Sequence, residues 1–152
     1  MHFIENVNKD DFEEFVKNNP YKSHFMQSYY WGNVMKEKNF IPHYVGLEDD
    51  GKLVATALLL QKKLLAGFSY FYCPRGFVWN YNDYSLLKIF TDYLKKYAKK
   101  NKAVFIKIDP DIKRHDLDID GNIINKENNN YELMKQLEKL GYKNKGFNKD
   151  FV

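Results

Sequence analysis

Two apolar runs that end at proline constrain this fold more than any other feature of the sequence. Tyr72-Cys73-Pro74-Arg75-Gly76 closes one run, and Ile108-Asp109-Pro110 closes the other. Proline has no N–H and fixes φ, so it stops a central strand where it stands. In open α/β sheets the loops that follow the carboxyl ends of strands build most binding sites. We therefore look for function at Arg75 and Asp109.

Composition narrows the class of protein. The chain has 152 residues, 17% of them aromatic, and a net charge of +4, which fits one ordinary domain. A charge of this size permits contact with RNA, anionic lipid or a diphosphate but requires none of them. No apolar run approaches the roughly 20 residues of a membrane span. Met1-His2-Phe3-Ile4-Glu5 turns polar at once, so we expect no signal peptide and a cytoplasmic protein.

Cysteine and histidine usage argues against metal chemistry. The single cysteine, Cys73, excludes an intramolecular disulfide and a cysteine-based zinc cluster. The four histidines are scattered without metal-ligand spacing, and none forms a readable nucleophile–base pair. We expect no metal site and no redox cofactor.

Periodicity predicts the order strand, two helices, three antiparallel strands, helix, strand, helix, strand. The predicted strands cover residues 3–4, 40–48, 53–63, 68–73, 103–109 and 142–152. The predicted helices begin after Asn8, near Gln27-Ser28, after an Asn82 or Asp83 cap, and before Leu133, the last stopping at Gly141. Residues 110–127 are polar and predict a long loop.

Three packing expectations follow from these patterns. The second helix, ending near Lys38, should bury Tyr30, Trp31 and Val34. The strand at 103–109 is a continuous apolar run, the pattern of a strand covered on both faces. The long helix should turn four residues of helical spacing toward the sheet, namely Leu86, Phe90, Leu94 and Tyr97.

The element order matches the GNAT (acetyltransferase-like) fold. The predicted class is α/β (α+β), with a mixed, mainly antiparallel sheet flanked by four helices, in one domain over residues 1–152. In this fold we expect the fourth and fifth strands to splay apart, with the loops at their ends facing one cleft.

The same residues resemble the FemABX family, the tRNA-dependent peptidoglycan-bridge aminoacyltransferases. The matching stretches are Gln27-Ser28-Tyr29-Tyr30-Trp31-Gly32, Val45-Gly46-Leu47-Glu48-Asp49-Asp50-Gly51, Leu58-Leu59-Leu60, Tyr72-Cys73-Pro74-Arg75-Gly76-Phe77, Ile108-Asp109-Pro110 and Leu140-Gly141-Tyr142. Family members look like two GNAT-like domains in tandem, and this chain resembles the first of them. The resemblance implies transfer of an amino acid from aminoacyl-tRNA to the stem-peptide amine of a cell-wall precursor.

The resemblance also implies partners. The precursor would be a UDP-N-acetylmuramyl pentapeptide or its lipid-linked form, lipid II, with peripheral membrane contact as an option. Aminoacyl-tRNA would be a co-substrate, reached through a second domain, and no cofactor would be needed. This chain would act as the precursor-side domain.

Four residues are the candidate site. The planar fork of Arg75 suits a phosphate or carboxylate, and Gly76 would let a ligand approach the backbone. The alternative is an arginine that only ties its loop to a neighbouring acceptor. Asp109 could accept a proton from the attacking amine or orient it. Its alternative is an aspartate that bonds N–H groups of its own turn.

Lys36 is a candidate only through the resemblance, since a family member carries a diphosphate-binding lysine near this point. The alternative is a solvated helix lysine. We expect Lys36 to approach the cleft that Arg75 and Asp109 line. Clustered lysines near residues 95–102 suit the end of the long helix better than a tRNA patch.

Two other functions remain possible on this fold. An acyl-CoA N-acetyltransferase would need a Gly-rich pyrophosphate cradle after the fourth strand, where this chain reads Arg75-Gly76-Phe77-Val78-Trp79-Asn80. The later glycines are missing, so tight acetyl-CoA binding is not expected. A non-catalytic precursor-binding domain is the other alternative.

Overall fold

The structure is a computed structural model that describes residues 1–21, 23–127 and 129–146. The strands are β1 (His2–Ile4), β2 (Ile41–Asp49), β3 (Lys52–Lys63), β4 (Ser69–Arg75), β5 (Val78–Trp79), β6 (Ala103–Pro110), β7 (Asp116–Leu117) and β8 (Ile123–Ile124). The helices are α1 (Lys9–Asn18), α2 (Tyr29–Lys36), α3 (Tyr84–Lys100) and α4 (Tyr131–Lys139). The chain groups into two compact units, Met1–Asp111 and Ile112–Val152.

The first unit holds a mixed sheet of order β1-β2-β3-β4-β6, in which β5 also pairs with β3. All pairs are antiparallel except β4 with β6, which are parallel. The β2–β3 hairpin closes at Asp50 (φ 47°) and Gly51 (φ 74°), the two left-handed positions of a tight hairpin turn. The predicted fold class, a mainly antiparallel mixed sheet flanked by helices, is confirmed.

Helix α3 covers one face of this sheet. The side chain of Asp83 accepts from the N–H of Leu86 and starts the helix. Leu86, Phe90 and Leu94 are buried, and Tyr97 stacks on Phe71 of β4 with 5.8 Å between ring centroids. The predicted sheet-facing side of this helix is therefore confirmed.

Helices α1 and α2 cover the opposite face. The side chain of Asn8 caps α1 by accepting from the N–H of Asp11, and Ser28 caps α2 in the same way. Phe12 and Val16 of α1 belong to one buried cluster with Val7, which precedes the helix, and with residues of β2, β3 and β5: Tyr44, Leu58, Leu60 and Val78. Tyr29, Trp31 and Met35 of α2 pack against its edge.

Two packing predictions are wrong. Tyr30 is 61% exposed and Val34 is 49% exposed, because the buried residue of α2 is Gly32. A Cβ at Gly32 would lie 2.1 Å from Oη of Tyr44. The buried face of α2 is therefore the one on which Gly32 lets the helix backbone approach Tyr44, and not the one with the largest side chains. Trp31 is half-buried.

Strand β6 is not covered on both faces. Val104 is 57% exposed and Phe105 is 51% exposed. Within the described residues β6 also pairs only with β4 and so forms an edge of the sheet. An edge strand can be as apolar as a central one, and the sequence pattern alone does not separate the two.

The second unit contains α4 and a short hairpin. The N–H of Tyr142 reaches the carbonyl of Leu137 and Gly141 takes a φ of 93°, the predicted glycine stop. Strands β7 and β8 pair antiparallel within the stretch predicted as a loop. Of the predicted last strand at 142–152, residues 142–146 contain no strand, and the rest lies outside the described residues.

Candidate functional site

Arg75 and Asp109 meet because β4 and β6 run side by side to their ends. Pro74 lies opposite Asp109 in the parallel ladder, and Arg75 lies opposite Pro110. The expectation that these two strands splay apart is wrong for this reason. The expectation that Arg75 and Asp109 lie together holds, by direct pairing rather than across a gap.

The Asp109 carboxylate bonds to the neighbouring strand instead of to its own turn. Its Oδ1 accepts a 2.7 Å hydrogen bond from the main-chain N–H of Arg75, and its Oδ2 accepts a 2.9 Å bond from the Tyr72 hydroxyl. Each carboxylate oxygen keeps a second lone-pair direction, and the residue is half-buried. The Asp109 carboxylate is thus fixed in place, and each of its oxygens can still accept one more hydrogen bond.

Tyr72 is held as a donor to this carboxylate. Burial raises the pKa of its hydroxyl well above the usual value of 10.0, and the charge of Asp109 raises that pKa further. Lys107 stands over the ring, its Nζ 5.3 Å from the centroid. Sequence analysis missed Tyr72, which is recognisable only once β4 and β6 are paired.

Arg75 has a strained backbone conformation, and its guanidinium is available to a ligand. Its φ is 52°, a left-handed conformation that costs a non-glycine residue about 1–2 kcal/mol. Within the described part of the chain no hydrogen bond or ion pair involves its guanidinium, and the residue is half-buried. The arginine therefore does not tie its loop to a neighbouring acceptor through its side chain.

Gln27 braces the peptide before Arg75 from inside the protein. Its Nε2 donates to the carbonyl of Pro74, and its Oε1 accepts a 2.9 Å bond from the N–H of Leu58. Ladder pairing between β3 and β4 stops at Leu60 and Tyr72. The fully buried Gln27 side chain therefore bridges the two strands where the ladder between them has ended.

Gly76 does not open the backbone to a ligand. A Cβ on Gly76 would lie 2.5 Å from Sγ of Cys73 and 2.8 Å from Nε2 of Gln27. The space beside the Gly76 Cα is thus filled by Cys73 and Gln27. The prediction that Gly76 lets a ligand approach the backbone there is wrong. Cys73 is fully buried, and burial raises the pKa of its thiol, so it stays an inert packing group.

The loop beyond Gly76 does not form a phosphate cradle. Phe77, Val78 and Trp79 are buried, and residues 78–79 pair with β3 as β5. Their N–H groups therefore belong to the core rather than to a nest for pyrophosphate. That acetyl-CoA does not bind tightly stays a prediction.

Lys36 lies in a different place. It ends α2 and lines a surface pocket, here called the lysine pocket, with five other residues: Asn39, Phe40, Ile41, Lys62 and Lys63. Lys63 pairs with Ser69 at the start of β4, whereas Arg75 ends that strand. Six residues of strand separate the two ends by roughly 20 Å. The prediction that Lys36 shares one cleft with Arg75 and Asp109 is wrong.

The lysine pocket and Asp109 nevertheless lie on the same side of the sheet. Lys62 donates a 2.8 Å hydrogen bond to the carbonyl of Lys38, just after α2. Tyr72, which holds Asp109, packs against the cluster that α2 joins. Both ends therefore belong to the α2 face of the sheet.

An aromatic strip connects the two ends. We define it as Tyr70, Tyr72 and Phe105, in which the rings of Tyr70 and Phe105 stack with 5.1 Å between centroids. Tyr70 pairs with Lys62 of the lysine pocket, and Tyr72 bonds Asp109. Tyr70 and Tyr72 are half-buried and Phe105 is exposed. Flat aromatic faces are surfaces on which bases and other planar groups stack.

Residues 1–21, 23–127 and 129–146 lack two features that would point to a membrane or a metal. No helix there is long and apolar enough to cross a membrane. No group of three or more His, Cys, Asp or Glu side chains in those ranges could hold a metal ion.

Relatives by sequence are aminoacyltransferases. FemA of Staphylococcus epidermidis is 31% identical over 147 residues, which cover 96% of this chain and 35% of that protein. FemA of Staphylococcus aureus (strain MW2) is 30% identical over 147 residues, 96% of this chain and 34% of that protein. The chain thus spans about a third of the length of these relatives.

Two solved structures resemble this chain. A crystal structure of FemX matches with a TM-score of 0.76 and 28% identity, over 97% of this chain and 33% of that one. A ribosomal-protein-alanine N-acetyltransferase from Brucella melitensis matches with a TM-score of 0.57 at 10% identity, over 99% of this chain and 97% of that one. The second likeness shows the GNAT-like fold alone. The family model of the FemAB family matches residues 7–152, and the chain therefore belongs to the FemAB family.

Proposed function

We propose that this chain binds a peptidoglycan precursor for the attachment of an amino acid to its stem peptide. The acceptor would be a UDP-N-acetylmuramyl pentapeptide or its lipid-linked form, and the donor an aminoacyl-tRNA. One observation carries the proposal. A cationic pocket and a fixed carboxylate stand roughly 20 Å apart on one sheet face, with the aromatic strip between them.

The lysine pocket suits the diphosphate. Lys36, Lys62 and Lys63 line it together, and an ammonium presents three donors to phosphate oxygens. One donor of Lys62 is used by the carbonyl of Lys38, which fixes that side chain without using the others. The nucleobase or sugar would lie on the aromatic strip next to this pocket.

The Asp109 end suits the acceptor amine. The amine nitrogen attacks the carbonyl carbon of the aminoacyl ester, forming a C–N bond and breaking the C–O bond to the tRNA ribose. The leaving oxygen takes a proton, and the attacking nitrogen gives one up. Asp109 would first hold the amine as its ammonium and take one proton from it, which frees the nitrogen lone pair for attack, using the lone pairs that Tyr72 and Arg75 leave open. The second proton leaves the nitrogen as the C–N bond forms and is the one that the leaving oxygen takes.

Arg75 suits an anionic group near that amine. Its guanidinium is unpaired among the described residues and could take a carboxylate of the stem peptide by two parallel hydrogen bonds. The pairing would set the register of the peptide relative to Asp109. Of the two groups that the sequence analysis offered for Arg75, a phosphate or a carboxylate, this assignment takes the carboxylate.

Calorimetric titration of UDP-N-acetylmuramyl pentapeptide against the chain tests the proposal. Lys36→Ala and Arg75→Ala should each weaken binding by about 1.5–3 kcal/mol, the value of a charge-assisted hydrogen bond. Lys38→Ala is the matched control for Lys36→Ala, since Lys38 does not line the lysine pocket. Unchanged affinity in both site variants, or no binding by the unmodified chain, would reject the proposal.

A further inference from the structure

We propose that Gln27 is a positioning residue for Asp109, acting through the peptide unit between Pro74 and Arg75. The inference rests on the proposed function, in which Asp109 holds the acceptor amine and takes its proton. Gln27 is fully buried and lies 82 positions before Asp109 in the sequence (109 − 27). It would touch neither precursor nor donor.

The peptide unit is held from both sides. Its carbonyl, on Pro74, accepts from Nε2 of Gln27, while its N–H, on Arg75, donates to Oδ1 of Asp109 at 2.7 Å. Hydrogen bonds in series polarise each other, so a donor on the carbonyl makes the N–H a stronger donor. The glutamine therefore acts on the carboxylate through one planar group.

The orientation of the Gln27 amide is fixed by its other partner. The N–H of Leu58 can only donate, so the atom that faces it at 2.9 Å is the carbonyl oxygen Oε1. Nε2 is thereby turned to the carbonyl of Pro74. The N–H of Leu58, which has no ladder partner on β4, thus fixes which end of the Gln27 amide faces Pro74.

The strained backbone explains why such a brace is needed. Arg75 has a φ of 52°, and strain of this kind persists only where the surroundings enforce it. Without the donor on its carbonyl, the 74–75 peptide can rotate and relieve that strain. Rotation would turn the Arg75 N–H away from Asp109, leaving the carboxylate with Tyr72 alone.

Nuclear magnetic resonance of the unmodified chain tests the series directly. The Asp109 carboxyl carbon, the Arg75 amide proton and the Gln27 side-chain amide are followed through an acid titration. All three should change at the same pH, because protonating Asp109 weakens the bond from Arg75 and so the bond from Gln27. Asp109→Asn should abolish the change at Gln27. A Gln27 amide that does not respond, or responds equally in Asp109→Asn, would overturn the inference.

A matched pair of variants gives a second test of the inference. Gln27→Met keeps the volume but removes the side-chain hydrogen bonds to Pro74, Leu58 and Cys73. Gln61→Met likewise removes the side-chain hydrogen bonds of another buried glutamine of the sheet, one that bonds His43 of β2 and, at the opposite end of β4, Ser69 and the Asn101 carbonyl. Both variants should lose stability, but only Gln27→Met should reduce the response of the Arg75 amide. Equal responses in the two variants would reduce Gln27 to a packing role.

The outcome is independent of precursor binding. If the unmodified chain does not bind precursor, the proposed function fails while the titration still decides whether Gln27 acts on Asp109. If precursor binds and the titration shows no coupling, the inference alone fails. Should Gln27→Met not fold, the titration of the unmodified chain and of Asp109→Asn remains decisive.

Discussion

The main-chain N–H of Arg75 donates a 2.7 Å hydrogen bond to Oδ1 of Asp109. Arg75 is left-handed at this point, and its guanidinium has no hydrogen-bond or ion-pair partner among the described residues. A fixed carboxylate and an available cation thus stand next to each other at the ends of β4 and β6. This pair is the centre of the proposed site.

Asp109→Asn should preserve the site and remove its charge. The asparagine Oδ1 can still accept from the Arg75 N–H, so the backbone geometry of the site should remain. Precursor binding should weaken only through the lost contact with the ammonium, whereas aminoacyl transfer should fall at least about 100-fold, the usual contribution of a general base. Transfer can be measured in a chimera in which this chain replaces the matching third of Staphylococcus epidermidis FemA. Asp111→Asn serves as the control. Transfer at the unsubstituted rate would remove Asp109 from the chemistry.

Gly76→Ala should destabilise the protein although alanine is the smallest possible addition. The new Cβ would lie 2.5 Å from Sγ of Cys73 and 2.8 Å from Nε2 of Gln27, and overpacking of this kind costs about 1–3 kcal/mol. Denaturant unfolding measures the loss. Adding Cys73→Ala removes the nearer atom and should restore part of the stability, whereas simple additivity of the two losses would contradict this packing.

Acidification should destabilise the fold through His43. Burial lowers the pKa of His43 from its usual 6.5. Its Nε2 donates to Oε1 of Gln61, and the Tyr97 hydroxyl, near Glu5, donates to Nδ1. The unfolded chain therefore binds a proton at a higher pH than the folded one, so stability is full above pH 6.5 and falls as the pH drops below it.

Replacing His43 isolates this contribution. In His43→Gln the titrating group is gone, so the loss of stability between neutral pH and pH 5 should be smaller than in the unmodified chain. The exposed His2 gives a control in His2→Gln, which should keep the full pH dependence. Parallel stability curves for His43→Gln and the unmodified chain would show that His43 does not contribute.

The sheet and its helices could be predicted because their signals are local. Turn residues at Asp50 and Gly51, the cap at Asp83 and the spacing of Leu86 and Phe90 each act within a few residues. The buried face of α2 was predicted wrongly because its large side chains were expected to be the buried ones. The close approach of Gly32 to Tyr44 depends on a strand that lies elsewhere in the chain.

The candidate site could be predicted only in part. Arg75 and Asp109 were found because each adjoins a proline that ends a strand, and parallel strands end at the same edge. Tyr72 and Gln27 were missed because their partners are set by the register of β4 with β6 and by the end of the β3–β4 ladder. Lys36 was misplaced because its position depends on the direction of α2, which the sequence does not specify.

The most direct test of the account is to bind the two halves of the precursor separately. Amide resonances of Lys36 and Arg75 are followed while UDP-N-acetylmuramic acid, the stem pentapeptide or the intact precursor is added. We expect the nucleotide sugar to shift Lys36 alone, the pentapeptide to shift Arg75 alone, and the intact precursor to shift both. If the nucleotide sugar shifts Arg75 and not Lys36, or if the intact precursor shifts neither, the two-ended site is contradicted.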